Sequence, residues 1–460
     1  MSARQWLRLL PVGLGASIVP LDTAVNIGFP DITKSFGLPI EMIQWVVICY
    51  VLTYASLLLA FGRVGDIFSH ARVFRIGLAW SVAAFLLCAA APAYSWLLFF
   101  RFLQGIGAGL VISVAPALVT GLFPEERRAR AVAAFTMMFA IGSAAGPLLG
   151  GALIAHWGWP AVFWFRAPIA LAALLLLKGL PAPSAAAARE PLDIPGAALL
   201  ALGISAMLLM LNELARFGRD NWLAIPLAAI AVASLAGFAR RERRAAQPIV
   251  SLEFFAIPSF AVINLGSVVV YLTSFTVLLF GPYYLVRFTG LPLAAAGAAL
   301  AASFAGTMAA SPLAGRLIEH LPAARIALLG AVLGGIGLIL VGQWTPHGSG
   351  ETAAIVGALV VQGFGVGLFQ VAYMDAVMAT IPRRQRGIAG SVAMLTRTLG
   401  IVGGATLLTL LFHAVEGAAA AAGHDAAASF LAAFRATFRV AGAASILTGV
   451  AIALAVPARR

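Results

Sequence analysis

The chain has 460 residues, of which 62% are hydrophobic and 10% charged. Soluble domains carry about 25% charged residues, so a water-soluble globule is excluded and an all-α integral membrane protein is expected. The formal charge of +13 does not indicate nucleic acid, because the basic residues segregate to one side of a polytopic array.

Apolar runs of about 20 residues, the length that crosses a bilayer, predict fourteen transmembrane helices. They fall at about 9–30, 42–61, 74–92, 95–119, 131–154, 160–180, 194–215, 222–239, 259–285, 293–316, 324–344, 353–379, 388–412 and 436–456. The first follows a short basic N-terminus as a secretory signal would, but its apolar run is too long for one and reads as a retained span. With the N-terminus in the cytoplasm, cytoplasmic ends and loops hold most of the basic residues, among them Arg63, Arg72, Arg127, Arg128, Arg243 and Arg383. The outer side holds Lys34, Arg216, Arg219, Arg287, Arg435 and Arg439. This is the positive-inside pattern, and it places both termini in the cytoplasm. The run RRERR at 240–244 is then a solvated topology determinant, and PAPSAAAAREPLD at 181–193 a linker.

Nothing suggests cofactor, metal or ATP chemistry. Cys49 and Cys88 fall in apolar spans, and the six His show no ligand spacing. The lysines, Lys34 and Lys178, follow no glycine-rich loop that could cradle phosphate. No catalytic constellation gathers at a membrane face, so no enzyme is expected.

A repeat organises the spans. QGIGAGL at 104–110 recurs as QGFGVGL at 362–368, and the same offset of 258 pairs Pro124 with Pro382, Arg128 with Arg386 and Gly142 with Gly400. GRVGD at 62–66 has an echo in GRLIE at 315–319, and Pro30 meets Pro282 at an offset of 252. The chain therefore divides into a six-helix half at 1–180, a linker with two additional spans at 181–258, and a second six-helix half at 259–460. An even number of inserted spans starts both halves on the same side, giving a parallel repeat about an axis along the membrane normal. The glycines of GIGAG and GFGVG sit in membrane helices with no preceding strand, so they read as packing rather than as a dinucleotide loop.

Polar residues inside the spans are the candidates for function, since an ionised side chain at mid-bilayer costs about 2.5–3.5 kcal/mol on insertion scales. In LDTAVNIGFP, Asp22 lies eight residues from Pro30, about 12 Å deep at 1.5 Å per residue, and Arg101 lies about 9 Å deep in the fourth span. These depths match, so each can partner the other. Asn26, one turn after Asp22, shares its helix face. Trp45, Tyr50 and Tyr54 in the second span, and Asn264, Tyr271, Phe275, Tyr283 and Tyr284 in the ninth, could line a lipophilic pocket. In GSAAGPLLGG, Gly142, Gly146 and Gly150 form one smooth helix face, and Pro147 bends the helix. Asp375 lies about 6 Å from the cytoplasmic end of its span, near Arg383 and Arg384, and reads as a cytoplasmic ion-pair member. The charged Arg166 has no account from the sequence.

These passages resemble the major facilitator superfamily, and within it the drug/proton antiporters with fourteen spans, over nearly the whole length. GSAAGPLLGG, including Gly151, matches the antiporter signature G-x-x-x-G-P-x-x-G-G at every fixed position. LLFFRFLQGIGA is similar to L-x-x-x-R-x-x-Q-G-x-G-A. The stretch GRVGDIFSHARV resembles the superfamily loop signature through Gly62, Arg63, Asp66, Arg72 and Val73, with Ile67, Ser69, His70 and Ala71 departing from it. LDTAVNIGFP is similar to the first-span motif of this branch with Thr shifted by one place, and RTLGIVGG, from Arg397, to a second-half passage. Arg166 stands where many relatives carry an uncharged polar residue.

The resemblance implies the major facilitator fold with two extra central helices, a sealing role for the glycine helix linked to export, a cytoplasmic gate at Asp66, and a gate or relay role for Arg397. The expected function is a proton-coupled exporter of lipophilic or amphipathic small molecules in a bacterial cytoplasmic (inner) membrane, active as a monomer. A carboxylate that alternates between an apolar cavity and a nearby guanidinium would load and release protons, which makes Asp22 the expected proton site. A dedicated metabolite exporter, an uptake symporter, and a sensor or lipid-handling protein on a transporter scaffold remain open.

Overall fold

A computed structural model describes residues 3–121, 125–177, 193–214, 222–243, 252–345, 351–380 and 386–455. Every regular element among them is helical, as hydrocarbon demands of a chain that must satisfy its own amides and carbonyls. In chain order these are α1 (Ala3–Ser17), α2 (Ala24–Ile27), α3 (Phe29–Ser35), α4 (Gln44–Phe68), α5 (His70–Ala89), α6 (Tyr94–Gly121), α7 (Glu125–Trp157), α8 (Ala161–Trp164) and α9 (Arg166–Leu176). There follow α10 (Ile194–Leu214), α11 (Ala224–Glu242), α12 (Pro258–Phe288), α13 (Leu293–Ile318), α14 (Ala323–Val341), α15 (Glu351–Thr380), α16 (Arg386–Ala421) and α17 (Ala426–Ala455). Ten helical segments among the described residues are long and apolar enough to span a membrane, and Gln44–Tyr54, Ala161–Leu176 and Pro195–Met207 are shorter apolar helices. By that measure the described residues do not reach the fourteen spans expected.

The first span departs from a continuous helix over 9–30. After α1 the chain makes a tighter helical turn at Pro20–Thr23 before α2 and α3. Proline has no amide hydrogen, so Pro20 cannot continue the α-helical ladder. The Ala16 carbonyl instead takes the Val19 amide at 3.2 Å, and the Val19 carbonyl takes the Asp22 amide at 3.1 Å. Asp22 thus sits on a tight turn, which also removes the simple rise used to reckon its depth.

Two compact units emerge, Met1–Ala201 with Pro292–Gly297, and Leu202–Leu291 with Ala298–Arg460. In the first, α4 and α5 both pack along α6, α9 lies on α5, and α7 runs along α1, the Pro20–Thr23 turn and α2. In the second, α14 packs on α15 and α17, and α12 on α16 and α17.

The repeated glycines do the same work in each unit. A Cβ on Gly105 of α6 would stand 2.6 Å from Thr53 Cβ of α4, and one on Gly107 would stand 2.6 Å from Ser81 Oγ of α5. In α15 a Cβ on Gly367 would stand 2.6 Å from the Thr307 carbonyl of α13, and one on Gly365 would strike the backbone of Gly334 in α14. Alternate glycines thus face the two preceding helices in both units. That is close helix packing in lipid and explains GIGAG and GFGVG without any nucleotide.

Between α4 and α5 the chain turns at Ser69, with φ 86° and ψ 123°, the one non-glycine residue with positive φ among those described. Such a conformation costs a side-chain-bearing residue about 1–3 kcal/mol. Replacing Ser69 with Gly should therefore stabilise the protein by about 1 kcal/mol once the added freedom of the unfolded chain is discounted. The check is the thermal midpoint of the purified protein in detergent, which should rise for Ser69→Gly and fall for Ser69→Val.

Candidate functional site

Three turns of chain bring charge together in the apolar interior of the first unit. Arg101 and Gln104 lie one turn apart on α6, so their side chains leave the same face. Asp22 projects from the Pro20–Thr23 turn. Arg166 opens α9, reached through Gly158 (φ +73°) and the short α8.

Arg101 grips Asp22 with both arms, Nη1 donating to Oδ1 at 2.7 Å and Nη2 to Oδ2 at 2.9 Å. Such a bidentate pair fixes orientation as well as charge. Two more of its five donors are used: Nε donates to the Val46 carbonyl at 2.8 Å and Nη1 to Gln104 Oε1 at 2.9 Å. Gln104 closes the ring by donating Nε2 to Asp22 Oδ1 at 2.9 Å. Arg166 adds a third donor to that oxygen, Nη1 to Oδ1 at 2.6 Å, and gives Nε to the Val162 carbonyl at 3.2 Å. The Tyr50 ring lies 4.3 Å from the Arg101 guanidinium and the Phe85 ring 4.4 Å from that of Arg166. Arg101 and Arg166 have side-chain exposures of 1% and 0%, and Asp22 13%, so the cluster opens only at the carboxylate.

The expected partnership of Asp22 with Arg101 is the geometry observed. The expected help from Asn26 is not: Asn26 is buried on α2, but Asp22 takes its side-chain bonds from Arg101, Gln104 and Arg166. The turn at Pro20–Thr23 interrupts the regular helix on which that one-turn relation depends. Tyr54 stacks edge-on against Tyr50 at 5.3 Å, and Trp45 is half-buried on α4. Gln104 and Arg166 were missing from the sequence-derived set. The i, i+3 spacing from Arg101 was a signal for Gln104, and a charge in an apolar span was one for Arg166.

The glycine helix grips the segment that carries Asp22. A Cβ on Gly142 would meet Pro20 Cγ at 3.0 Å and the Ser17 carbonyl at 3.1 Å, and one on Gly150 would meet Ile27 Cγ2 at 2.8 Å and the Ala24 carbonyl at 2.9 Å. A Cβ on Gly146 would strike Thr23 Oγ1, and one on Gly151 the Leu293 carbonyl. Thr23 Oγ1 also donates to the Ser143 carbonyl of α7 at 3.1 Å. Pro147 lies buried in the same helix.

In the second unit Asn264 joins a neutral network. Tyr373 donates to Asn264 Oδ1 at 2.8 Å and lies 3.1 Å from Thr396 Oγ1, which lies 3.0 Å from Ser267 Oγ. Tyr271 carries the Arg397 guanidinium at 5.6 Å, and Phe275 is buried nearby on α12. Asp375 and Arg72 are exposed, and a Cβ on Gly62 would meet open space. The side chains of Arg63 and Asp66 lie outside the described residues, as do Arg383 and Arg384. Among the described residues no three His, Cys, Asp or Glu side chains are gathered to hold a metal ion.

The family model described as Major Facilitator Superfamily matches residues 12–240 and 263–460. A riboflavin transporter of Clostridioides difficile is 27% identical over 411 residues, 89% of this chain and 88% of its own. Multidrug resistance protein Stp of Mycobacterium tuberculosis is 28% identical over 402 residues, covering 87% and 74%. A puromycin resistance protein of Streptomyces alboniger is 30% identical over 427 residues, covering 91% and 83%. Among solved structures, the POT family transporter PepTSo is 15% identical with a TM-score of 0.71, covering 99% of this chain and 98% of its own. A bacterial homologue of the human lysosomal transporter Spinster is 19% identical with a TM-score of 0.69, covering 99% and 96%. At these identities the two structures share the fold alone.

The cluster predicts an order of stabilities. Removing one partner of a buried ion pair costs about 3–5 kcal/mol, so Arg101→Gln should lower the thermal midpoint in detergent steeply. Arg166→Gln leaves the bidentate pair intact and should cost far less. Equal losses in the two variants would contradict this reading of the geometry.

Proposed function

We infer that this chain, which belongs to the major facilitator superfamily, is a proton-coupled exporter of lipophilic or amphipathic small molecules. It works as a monomer in a bacterial cytoplasmic membrane with both termini in the cytoplasm. One observation carries the reading: the sole carboxylate of the cluster, Asp22, is clamped by Arg101 and Gln104 on the very turn that α7 grips through Gly142, Gly146 and Gly150.

The clamp as described holds Asp22 ionised, with four donors on its two oxygens. A proton arriving on either oxygen removes the charge that holds the guanidinium and leaves that oxygen with less capacity to accept. Protonated and ionised Asp22 therefore favour different placements of the turn against α6. A ligand or proton shifts such an equilibrium only by its differential affinity for the two states, and here the differential term is one charge against Arg101. Because the glycines of α7 put no side chain of their own between it and Ser17, Pro20, Thr23 and Ala24, a shift of the turn is passed to α7 directly. Tyr50 against Arg101, with Tyr54 edge-on to it, supports an aromatic lining for the substrate. Within the second half Asn264, Tyr271 and Phe275 are the candidate substrate contacts, and Arg63, Asp66 and Arg72 would form the cytoplasmic gate.

Relatives named for drug resistance and export, among them a tetracenomycin C resistance and export protein of Streptomyces glaucescens at 29% identity, support export. The riboflavin transporter at 27% favours a second reading, transport of a single metabolite.

Purified protein in proteoliposomes under an imposed pH gradient tests the reading. Native protein should move a fluorescent dye against its gradient, Asp22→Asn should abolish gradient-driven movement, and Asp22→Glu should retain part of it with a displaced pH profile. Undiminished pumping by Asp22→Asn would place the proton elsewhere. In the same assay Gly146→Leu, whose side chain must push Thr23 away, should insert at normal levels yet transport at less than a tenth of the native rate. Normal transport by that variant would mean that α7 does not need its close approach.

A further inference from the structure

Arg166 is a charge that proton chemistry at Asp22 does not require. Asp22 supplies one negative charge to the cluster, and Arg101 with its bidentate grip already matches it. The other ionisable side chains that interact with the cluster, Cys49, Tyr50 and Cys88, are ordinarily neutral near pH 7, and Cys88 Sγ donates to Gln104 Oε1 at 3.6 Å. Two guanidiniums therefore face one carboxylate, and the buried cluster keeps a surplus positive charge. Arg166 is fully buried, and its fork is only partly used. Nε is spent on Val162 and Nη1 on Asp22, while Nη2 is buried without a hydrogen-bond partner.

A purely structural role accounts poorly for this arrangement. If α9 only needed tethering to Asp22, one neutral donor would suffice, without a second cation on the same oxygen and without an unpaired buried nitrogen. The Phe85 and Phe163 rings, 4.4 and 5.7 Å from the Arg166 guanidinium, recover part of the lost hydration but bring no negative charge. Buried charges in membrane interiors pair with an opposite charge or mark a substrate path.

We propose that the unpartnered Nη2 of Arg166, sealed from solvent in this structure, takes an anionic group of the transported molecule, a carboxylate, sulfonate or phosphate, when the cluster opens, so that the substrates are organic anions with an apolar, ring-bearing body. The inference rests on the export reading above and names its substrate class. A planar guanidinium edge suits an oxyanion better than an ammonium would. The Phe85 and Phe163 rings that flank it suit an aromatic skeleton. One anion brings the cluster to neutrality with Asp22 still ionised.

The test uses the full chain in lipid nanodiscs and two probes with the same ring system, 2-naphthoate and 2-naphthylmethylammonium, with binding measured by equilibrium dialysis. Native protein should bind the naphthoate at least ten-fold more tightly than the ammonium. Arg166→Gln should lose at least ten-fold in naphthoate affinity and with it the preference, and Arg166→Lys, which keeps the charge, should retain part of both. Equal affinities, preference for the ammonium, no naphthoate binding by folded native protein, or an unchanged preference in Arg166→Gln would each overturn the proposal. If Arg166→Gln fails to fold, the native comparison and Arg166→Lys still decide. A protein that pumps dye but binds no naphthoate refutes this inference and leaves the export reading intact. One that binds naphthoate with the expected preference but pumps nothing does the reverse.

Discussion

A single carboxylate in an apolar segment has to be satisfied from several directions, and the local structure of the first unit follows from that constraint. Asp22 cannot remain ionised in the interior without donors, and the donors come from separate stretches of chain: Arg101 and Gln104 on α6 and Arg166 at the head of α9. Bringing them together needs a turn in place of straight helix, and Pro20 supplies it by withholding an amide. It needs α6 close to α4, where the Val46 carbonyl completes the Arg101 fork, and Gly105 permits that approach. The charge cluster and the small-residue packing are thus one design: close backbones bring the guanidiniums within reach, and the ion pairs hold α6 and α9 on the turn.

The two halves share their packing but not their chemistry. Alternate glycines of α6 and α15 meet the two preceding helices in the same way, so the repeat is written in backbone approach. At the offset that pairs the glycines, Arg101 corresponds to Leu359, and at the offset that pairs Pro30 with Pro282, Asp22 corresponds to Ser274. The second unit fills its interior with a neutral network of Asn264, Tyr373, Thr396 and Ser267. Among the described residues the buried ion pairs thus lie in the first unit, while the second sets neutral hydrogen bonds beside a guanidinium, Arg397, that rests on the Tyr271 ring.

Much of this was legible before any coordinates. Membrane helices follow from composition and run length, and the pairing of Asp22 with Arg101 follows from two opposite charges in apolar spans, although the turn at Pro20 undoes the helical rise by which their depths were matched. The packing role of GIGAG follows from its placement in an apolar run. What the sequence could not reveal depends on geometry finer than a helical wheel. A regular helix through 9–30 puts Asn26 on the face of Asp22, but the turn at Pro20 breaks the one-turn relation, and Arg166 and Gln104 take the place Asn26 was given. Gly142, Gly146 and Gly150 announce a smooth face, yet periodicity does not say which neighbour lies against it, and that neighbour is the Asp22 segment itself. Arg166 was visible as an anomaly with no assigned partner, because its contact with Asp22 spans 144 residues of chain.

Asp22 is proposed to be the group that exchanges a proton as substrate binds. The direct measurement is the change in bound protons of detergent-solubilised protein in weakly buffered solution when a transported compound is added, read with a pH-sensitive dye. Native protein should give a proton signal, uptake if the compound is an anion seated beside the carboxylate, and a folded Asp22→Asn variant that still binds the compound should give none. A signal of equal size from that variant would move the proton site elsewhere.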